Sequence, residues 1–375
     1  MKRFISKFFV LMLVFGLLVA CGSQGNKGDG EGGSGGGELV VYSPNSDGEV
    51  EGLLYYWAEK NGVKVNLQSM GTGEALAKIS AEKDNPQADL MFGGMNLGAY
   101  LQHEGLFEEY VAEGYDKIPE GYRTHVEKYP FFTHYGLSGS NLLVNVNLEK
   151  EMIENGELDG EIKGYADLLN PALKGKIAMG DAAGSSSALA QLTNMLLVMN
   201  TDAKKDGLDG ELAFGPDAKG WEYVEKFMLN LDGKILGSSS ALYKGTEAGE
   251  YVVAATYEDP SIALLTDGSQ NVRVVYPEEG AVWLPAASAI VKDAKNLDNA
   301  KSFIDFLVSD DGQKQIAKLT YRPVRDDIIH ENEFMQPFSD INVAFEDIEY
   351  VSNHRSDIQA KFKDMLTNLG IDTEE

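Results

Sequence analysis

Gly184-Ser185-Ser186-Ser187 places three hydroxyls between a short apolar run, Ile177-Ala178-Met179, and a helical stripe of Ala188, Leu192, Met195, Leu196 and Met199. A strand-to-helix turn of this kind presents unpaired backbone N–H groups at the positive end of a helix dipole, and with added hydroxyls it can hold an anion. Serines at such a turn also serve simply as helix caps. Ser43, Asn45, Ser46, Thr72, Gly73 and Gly94 fall in three further loops of glycine and small polar residues, which could form an opposing rim. Tyr257, Glu258 and Asp259 follow the buried-looking run Tyr251-Val252-Val253-Ala254-Ala255-Thr256. Their carboxylates suit sugar hydroxyls or an ammonium group, or else form a solvated turn ahead of Pro260. The remaining reactive group is the only cysteine, Cys21, preceded by Leu18-Val19-Ala20.

These groups point to binding and not to catalysis. A hydrolase needs a nucleophile with a base and an orienting group, or a metal. No Gly-x-Ser-x-Gly elbow sits between a strand and a helix, and there is no His-Glu-x-x-His. Ser185 to Ser187 have no obvious base. The five histidines (His103, His125, His134, His330 and His354) lack metal-ligand spacing, so neither a metal nor another cofactor is expected.

The elements that position these residues read as alternating strands and helices. Leu39 to Ser43 predicts a buried strand, and Val50, Leu53, Leu54, Trp57 and Ala58 form one helical face that Asn61-Gly62 ends. Val63 to Leu67 alternates as a strand, and Gly71-Thr72-Gly73-Glu74 opens a helix carrying Leu76 and Ile79. Ala88 to Phe92 is a third strand, closed by Gly93-Gly94. This βαβαβ spacing predicts a parallel sheet whose ligand lies beyond the carboxyl ends of the strands, at the small-polar loops named above. The extended stretch from Phe131 to Asn147 leads to a second α/β unit around the serine cluster. The last third resumes with strands at Val272–Tyr276 and Ala286–Val291, then a helix that Asp298 would cap, then another carrying Ile316 and Leu319. Tyr42, Tyr243 and Trp283 read as core more than as cavity wall. Arg273, Arg322 and Arg325 read as structural or surface groups, leaving no arginine in the cleft.

Length and composition allow two domains or one large one. The 375 residues are 43% hydrophobic and 10% aromatic, ample for real cores. Net charge is −27, and removal of residues 1–20, which carry Lys2, Arg3 and Lys7 and no acid, leaves −30. Such an acidic surface argues against nucleic acid and against direct docking on anionic lipid. The basic start, the apolar run from Phe8 to Ala20 and the small residues before Cys21 form a secretory leader too short to span a bilayer comfortably. Leu18-Val19-Ala20-Cys21 resembles the lipobox of bacterial lipoproteins, which implies lipidation of Cys21 and an anchor on the extracytoplasmic face of the cell membrane. Residues 22–37 are Gly, Ser, Asn, Gln and charged residues almost throughout, and read as a flexible tether.

Leu39 to Ser43, Gly71-Thr72-Gly73-Glu74 with Ile79, Ala81 and Glu82, Asn85-Pro86-Gln87-Ala88-Asp89, Ala300 to Gln313 and Arg322-Pro323-Val324, in that order, resemble the solute-binding proteins of ATP-driven (ABC) importers. The subgroup is the one holding ferric-ion, thiamine, phosphonate and sugar-phosphate binders. The resemblance implies an α/β, two-lobed clamshell of the type II periplasmic-binding-protein kind, each lobe a mixed, mostly parallel sheet flanked by helices. It assigns 1–20 to the leader, 21–37 to the tether, 38–135 with 258–325 to lobe 1 and 136–257 with 326–375 to lobe 2. It also implies a permease and its ATPase as partners of a monomeric binder, with the solute held between the lobes. Ferric binders of the subgroup carry adjacent tyrosines near the position of Tyr257, whose neighbours here are Thr256 and Glu258. The expected solute is therefore a small phosphorylated or phosphonate-type molecule, with ferric iron as the alternative.

Overall fold

Short runs of β-branched and large apolar residues, each followed by a helix with one apolar stripe, produce two α/β halves that share one long strand. The computed structural model describes residues 36–123, 126–200 and 209–371. The expected leader, Cys21, His125 and the tether before Gly36 lie outside the described residues.

The first half begins with β1 (Glu38–Ser43). A continuous helical run, α1, follows. It is α-helical at Asp47–Glu49, π-helical at Val50–Tyr55 and α-helical again at Tyr56–Asn61, where Gly62 ends it in the left-handed region. Next come β2 (Lys64–Ser69), α2 (Thr72–Ala81), β3 (Leu90–Met95) and α3 (Leu97–Gln102). β1 pairs in parallel with β2 and β3, as the βαβαβ spacing requires. β3 runs on through Gly93 and Gly94 instead of closing there, because both glycines adopt positive φ (+85° and +72°) inside an irregular antiparallel pairing with the strand Ala281–Ile290 (β9).

β4 (Thr133–Asn145) is buried along its whole length and belongs to both halves. Thr133 to Gly139 pair with β9 (Ala281–Ile290), whereas Ser140 to Val144 pair with β7 (Val253–Tyr257). The second half adds α4 (Val146–Glu154), β5 (Ile177–Gly180), α5 (Ser186–Val198), α6 (Gly220–Leu231), β6 (Ile235–Leu236) and α7 (Ser239–Ala248). β5 is parallel to β6 and β7. After β7 the chain enters α8 (Glu258–Thr266), then β8 (Val272–Val275) and β9. Among the described residues the strand order is β2-β1-β3-β9-β4-β7-β5-β6, with β8 and β10 (Arg322–Pro323) on β4 and β11 (Val343–Ala344) on β9.

Three details depart from the sequence reading. Glu258-Asp259-Pro260 is the first turn of α8, where proline's missing N–H costs no hydrogen bond, and not a solvated turn. α9 (Leu297–Val308) is preceded by Asn296, and Asp298 lies inside its first turn. β8 pairs with Leu142 to Asn145, so residues 258–325 do not all accompany the first half.

The apolar packing follows the same division. Leu142 and Val144 share a core with Ile177, Met179, Leu192, Phe227 and Val253, and Ile358, Phe362 and Leu366 of α12 (Arg355–Leu369) close it. The first half buries one face of its sheet against Trp57, Phe303 and Leu307 and the other against Leu76, Ile79 and Tyr100. α10 (Asp310–Ile316) and α11 (Ile348–Asn353) complete the described elements that bear on the site.

Candidate ligand-binding cleft

The carboxyl ends of the strands of both halves meet around a cavity of about 780 Å³. Its first-half wall carries Thr72 and Gly73 from the start of α2 and Gly94 from the end of β3. Its second-half wall carries Gly184, Ser186 and Ser187 after β5, and Tyr257 and Asp259 after β7. Ser138 of β4 and the ring of Tyr321 stand between them. The volume lies in the range that holds a small organic molecule.

The serine turn is held by Asp181. Its backbone carbonyl accepts from the amides of Gly184 (3.2 Å) and Ser185 (2.9 Å), and its Oδ1 accepts from Ala183 N–H at 2.8 Å. Ser185 caps α5, its Oγ accepting from Ala188 N–H at 3.3 Å. Ser186 and Ser187 then lie in the first helical turn, facing the cavity with the positive end of α5 behind them. Tyr257 supports this wall by donating its hydroxyl to the Ser187 carbonyl at 2.7 Å. Burial, and the negative charges of Glu346 and Asp259, push the Tyr257 phenol well above its ordinary pKa.

Asp259 accepts from Ser138 Oγ at 2.7 Å. Burial, and then the neighbouring carboxylates Glu49 and Glu258, push its pKa up to about 7. A ligand donor placed here would restore the ionised form.

Five of the expected site residues do not face this cavity. Ser43 is buried and donates to the Phe92 carbonyl at 2.7 Å. Asn45 packs on Gly93 and donates to the Tyr135 hydroxyl at 3.0 Å. Ser46 forms a capping box with Glu49, and Ser185 is the cap just described. Glu258 is the largest correction. Its side chain is 0% exposed and is engaged by Arg322, itself 1% exposed, through Nε at 2.9–3.0 Å and Nη2 at 2.5 Å. The Tyr276 hydroxyl also donates to it. Trp283 and Phe338 cover the guanidinium, with their ring centres 4.6 Å away. Glu258 starts α8 directly after β7, and Arg322 sits on β10 against the first-half part of β4, so this buried pair ties the halves together beside the cleft.

Two cavity residues escape a reading of local sequence. Tyr243, read as core, lines the cavity, whereas Tyr42 and Trp283 are core as read. Arg355, the first residue of α12, also lines it and donates to Ser186 Oγ at 2.9 Å. Among the described residues it has no carboxylate partner, and burial holds its pKa below the ordinary arginine value. Arg273, by contrast, is paired with Glu149, and Arg325 with Asp310 and Asp327. No group of three or more His, Cys, Asp or Glu side chains suited to a metal ion occurs among the described residues.

Residues 57–337 match the model of the bacterial extracellular solute-binding protein family. A probable ABC transporter periplasmic-binding protein of Sinorhizobium fredii is 26% identical over 73% of this chain and 70% of its own length. Iron uptake protein A1 of Synechocystis is 26% identical over 76% of this chain and 74% of its own. Among solved structures, the periplasmic binding protein AfuA from Actinobacillus pleuropneumoniae, with fructose-6-phosphate bound, aligns with a TM-score of 0.68 at 23% identity, covering 88% of this chain and 99% of that one. With a two-half α/β fold, a cavity at the carboxyl ends of both sheets and a match over most of its folded length, the chain belongs to the bacterial extracellular solute-binding proteins.

Proposed function

We propose that this protein captures a small organic solute bearing a phosphate or phosphonate group and delivers it to the permease of an ABC importer. The observation that carries this reading is the cationic rim. The start of α5 brings Ser186 and Ser187 to the cavity, and Arg355 stands beside them with no acidic partner among the described residues. A helix start, hydroxyls and an uncompensated guanidinium are a complementary set for a tetrahedral oxyanion. Thr72 and Gly73, at the start of α2, supply a second set of donors from the opposite half. The two halves act as lobes that close on the solute, pivoting where β4 changes partners between Gly139 and Ser140 and again between β8 and β9. The protein works as a monomer without turnover, held on the outer face of the cell membrane by lipidated Cys21, with residues 22–37 as tether.

Titration calorimetry with the purified protein tests this against fructose 6-phosphate, phosphonates, thiamine, polyamines and the neutral sugar fructose. Binding of a phosphorylated compound but not of its neutral counterpart is expected. Arg355→Gln should weaken that binding about 10- to 100-fold, the worth of one charge-assisted hydrogen bond. Equal binding of charged and neutral forms would overturn the reading, as would depletion of the compound at catalytic protein levels.

Three cavity tyrosines, Tyr243, Tyr257 and Tyr321, favour ferric iron as a second reading, since phenolates are hard oxygen ligands. Ferric citrate would then produce a phenolate-to-iron absorption band that Tyr243→Phe, Tyr257→Phe and Tyr321→Phe together abolish and Arg355→Gln leaves in place.

A further inference from the structure

A second cavity, of about 380 Å³, adjoins the first and shares Asn96, Gly98, Ser186, Leu284, Pro285 and Arg355 with it. One of its walls comes from residues beyond the family-matched stretch, which ends at residue 337. That wall bridges the protein. Glu349 meets Lys128 and the Tyr129 hydroxyl on the first-half side, while Gln359 donates to the carbonyls of Ala182 (3.0 Å) and Ala183 (3.1 Å) in the serine turn. The opposite walls include Leu97, Phe132, Leu189 and Ala190.

The cavity mixes apolar and charged walls: Arg123 lines it too, with its guanidinium donating to the carbonyls of Ile118 and Asp116, and Glu346 is an acid in it that lacks a cation or a backbone donor. Its carboxylate accepts from Thr193 Oγ1 at 2.6 Å and has no cationic partner among the described residues. The neighbouring acids are occupied, Asp347 by the amide of Tyr350 at 2.9 Å and Glu349 by Lys128. With one neutral donor, the Glu346 carboxylate keeps acceptor capacity toward the cavity, which a ligand ammonium can use. Burial and the charge of Asp347 push its pKa up to about 7, the direction expected of an acid awaiting a counter-ion.

We propose that residues 346–355 add a second compartment to the solute cleft, one that takes an amine-bearing carbon chain with Glu346 as the counter-ion of the ammonium. The solute is then two-ended. Its oxyanion sits between Ser186, Ser187 and Arg355, its chain passes Leu284 and Pro285, and its amine reaches Glu346. This deepens the anionic-solute reading and rests on it.

The test is calorimetric titration of wild type and Glu346→Gln with 3-aminopropylphosphonate, propylphosphonate and butylamine. Wild type should bind the amino compound at least tenfold more tightly than propylphosphonate. In Glu346→Gln that ratio should fall to near one, with the affinity for propylphosphonate unchanged within twofold. Glu346→Asp, which keeps the charge, should recover part of the ratio, and it replaces Glu346→Gln if the latter fails to fold. A wild-type ratio near one, or equal weakening of both phosphonates in Glu346→Gln, overturns the proposal. If neither phosphonate binds wild type, the anionic-solute reading fails by itself. Butylamine binding that Glu346→Gln abolishes would then still establish the compartment, and no butylamine binding would refute it.

Discussion

Glu258→Gln separates a structural carboxylate from a solute-binding one. Glu258 and Arg322 are both essentially out of contact with solvent, and three nitrogen-to-oxygen approaches of 2.5–3.0 Å bind them. The substitution preserves shape but removes the negative charge, so the Arg322 guanidinium stays buried with no counter-ion. Breaking one side of such a pair costs about 3–5 kcal/mol, mostly the desolvation of the orphaned charge. Arg322 is badly placed to recover, because its Nη1 already lacks a partner and aromatic rings cover it. For the described residues between Gly36 and Ile371 the unfolding entropy is about 0.7 kcal/mol per kelvin, so Tm should fall by about 4–7 °C. Differential scanning calorimetry gives Tm, and titration at a temperature where the variant is folded gives affinity. The expected result is a lowered Tm with solute affinity within threefold of wild type. An unchanged Tm with affinity lost would refute the reasoning, since Glu258 would then face the solute.

Asp259, one residue later, should behave in the opposite way. Its pKa is raised in the folded protein from 3.8 to about 7, so the native state binds this proton more tightly than the unfolded chain does. The resulting stability is fully present below pH 3.8 and is lost as pH rises through about 7. The ceiling is about 4 kcal/mol, and the partial solvent contact that Asp259 keeps at the cavity wall lowers the expected effect to about 1–2 kcal/mol. Asp259→Asn should therefore raise Tm at pH 8 by about 2 °C and leave it unchanged at pH 3.5, which a pH series of thermal melts checks. Gly94→Ala should damage stability and binding together. Gly94 has φ +72°, and a Cβ there would lie 2.7 Å from Thr72 Oγ1 and 2.9 Å from Pro44 Cγ. We expect a loss of about 1–3 kcal/mol by denaturant titration, with at least tenfold weaker solute binding as Thr72 is displaced.

Much of the cleft was legible because it follows from local patterns. Alternating strand and helix runs required parallel sheets, and parallel sheets place ligands beyond their carboxyl ends. Thr72, Gly73, Gly94, Gly184, Ser186, Ser187, Tyr257 and Asp259 do line the cavity at those ends. Side-chain direction was not legible. Glu258 and Asp259 are consecutive in the first turn of α8, so they project about 100° apart, and which one meets the cavity depends on the residue at which β7 gives way to helix. Ser43 and Ser46 were indistinguishable by type from Ser186, yet hydrogen bonds to Phe92 and Glu49 turn them to internal work.

The amino-acid sequence by itself determined the alternation of elements, the apolar stripes that build the cores and the loops from which a site could be built, because hydrophobic periodicity and turn residues act over a few positions. Only the tertiary structure decided where the charges went. It buried Arg322 against Glu258, 64 residues earlier, and brought Arg355 to Ser186 across 169 residues. Such pairings are set by how helices pack on a shared sheet, a long-range property that no local run of residues encodes.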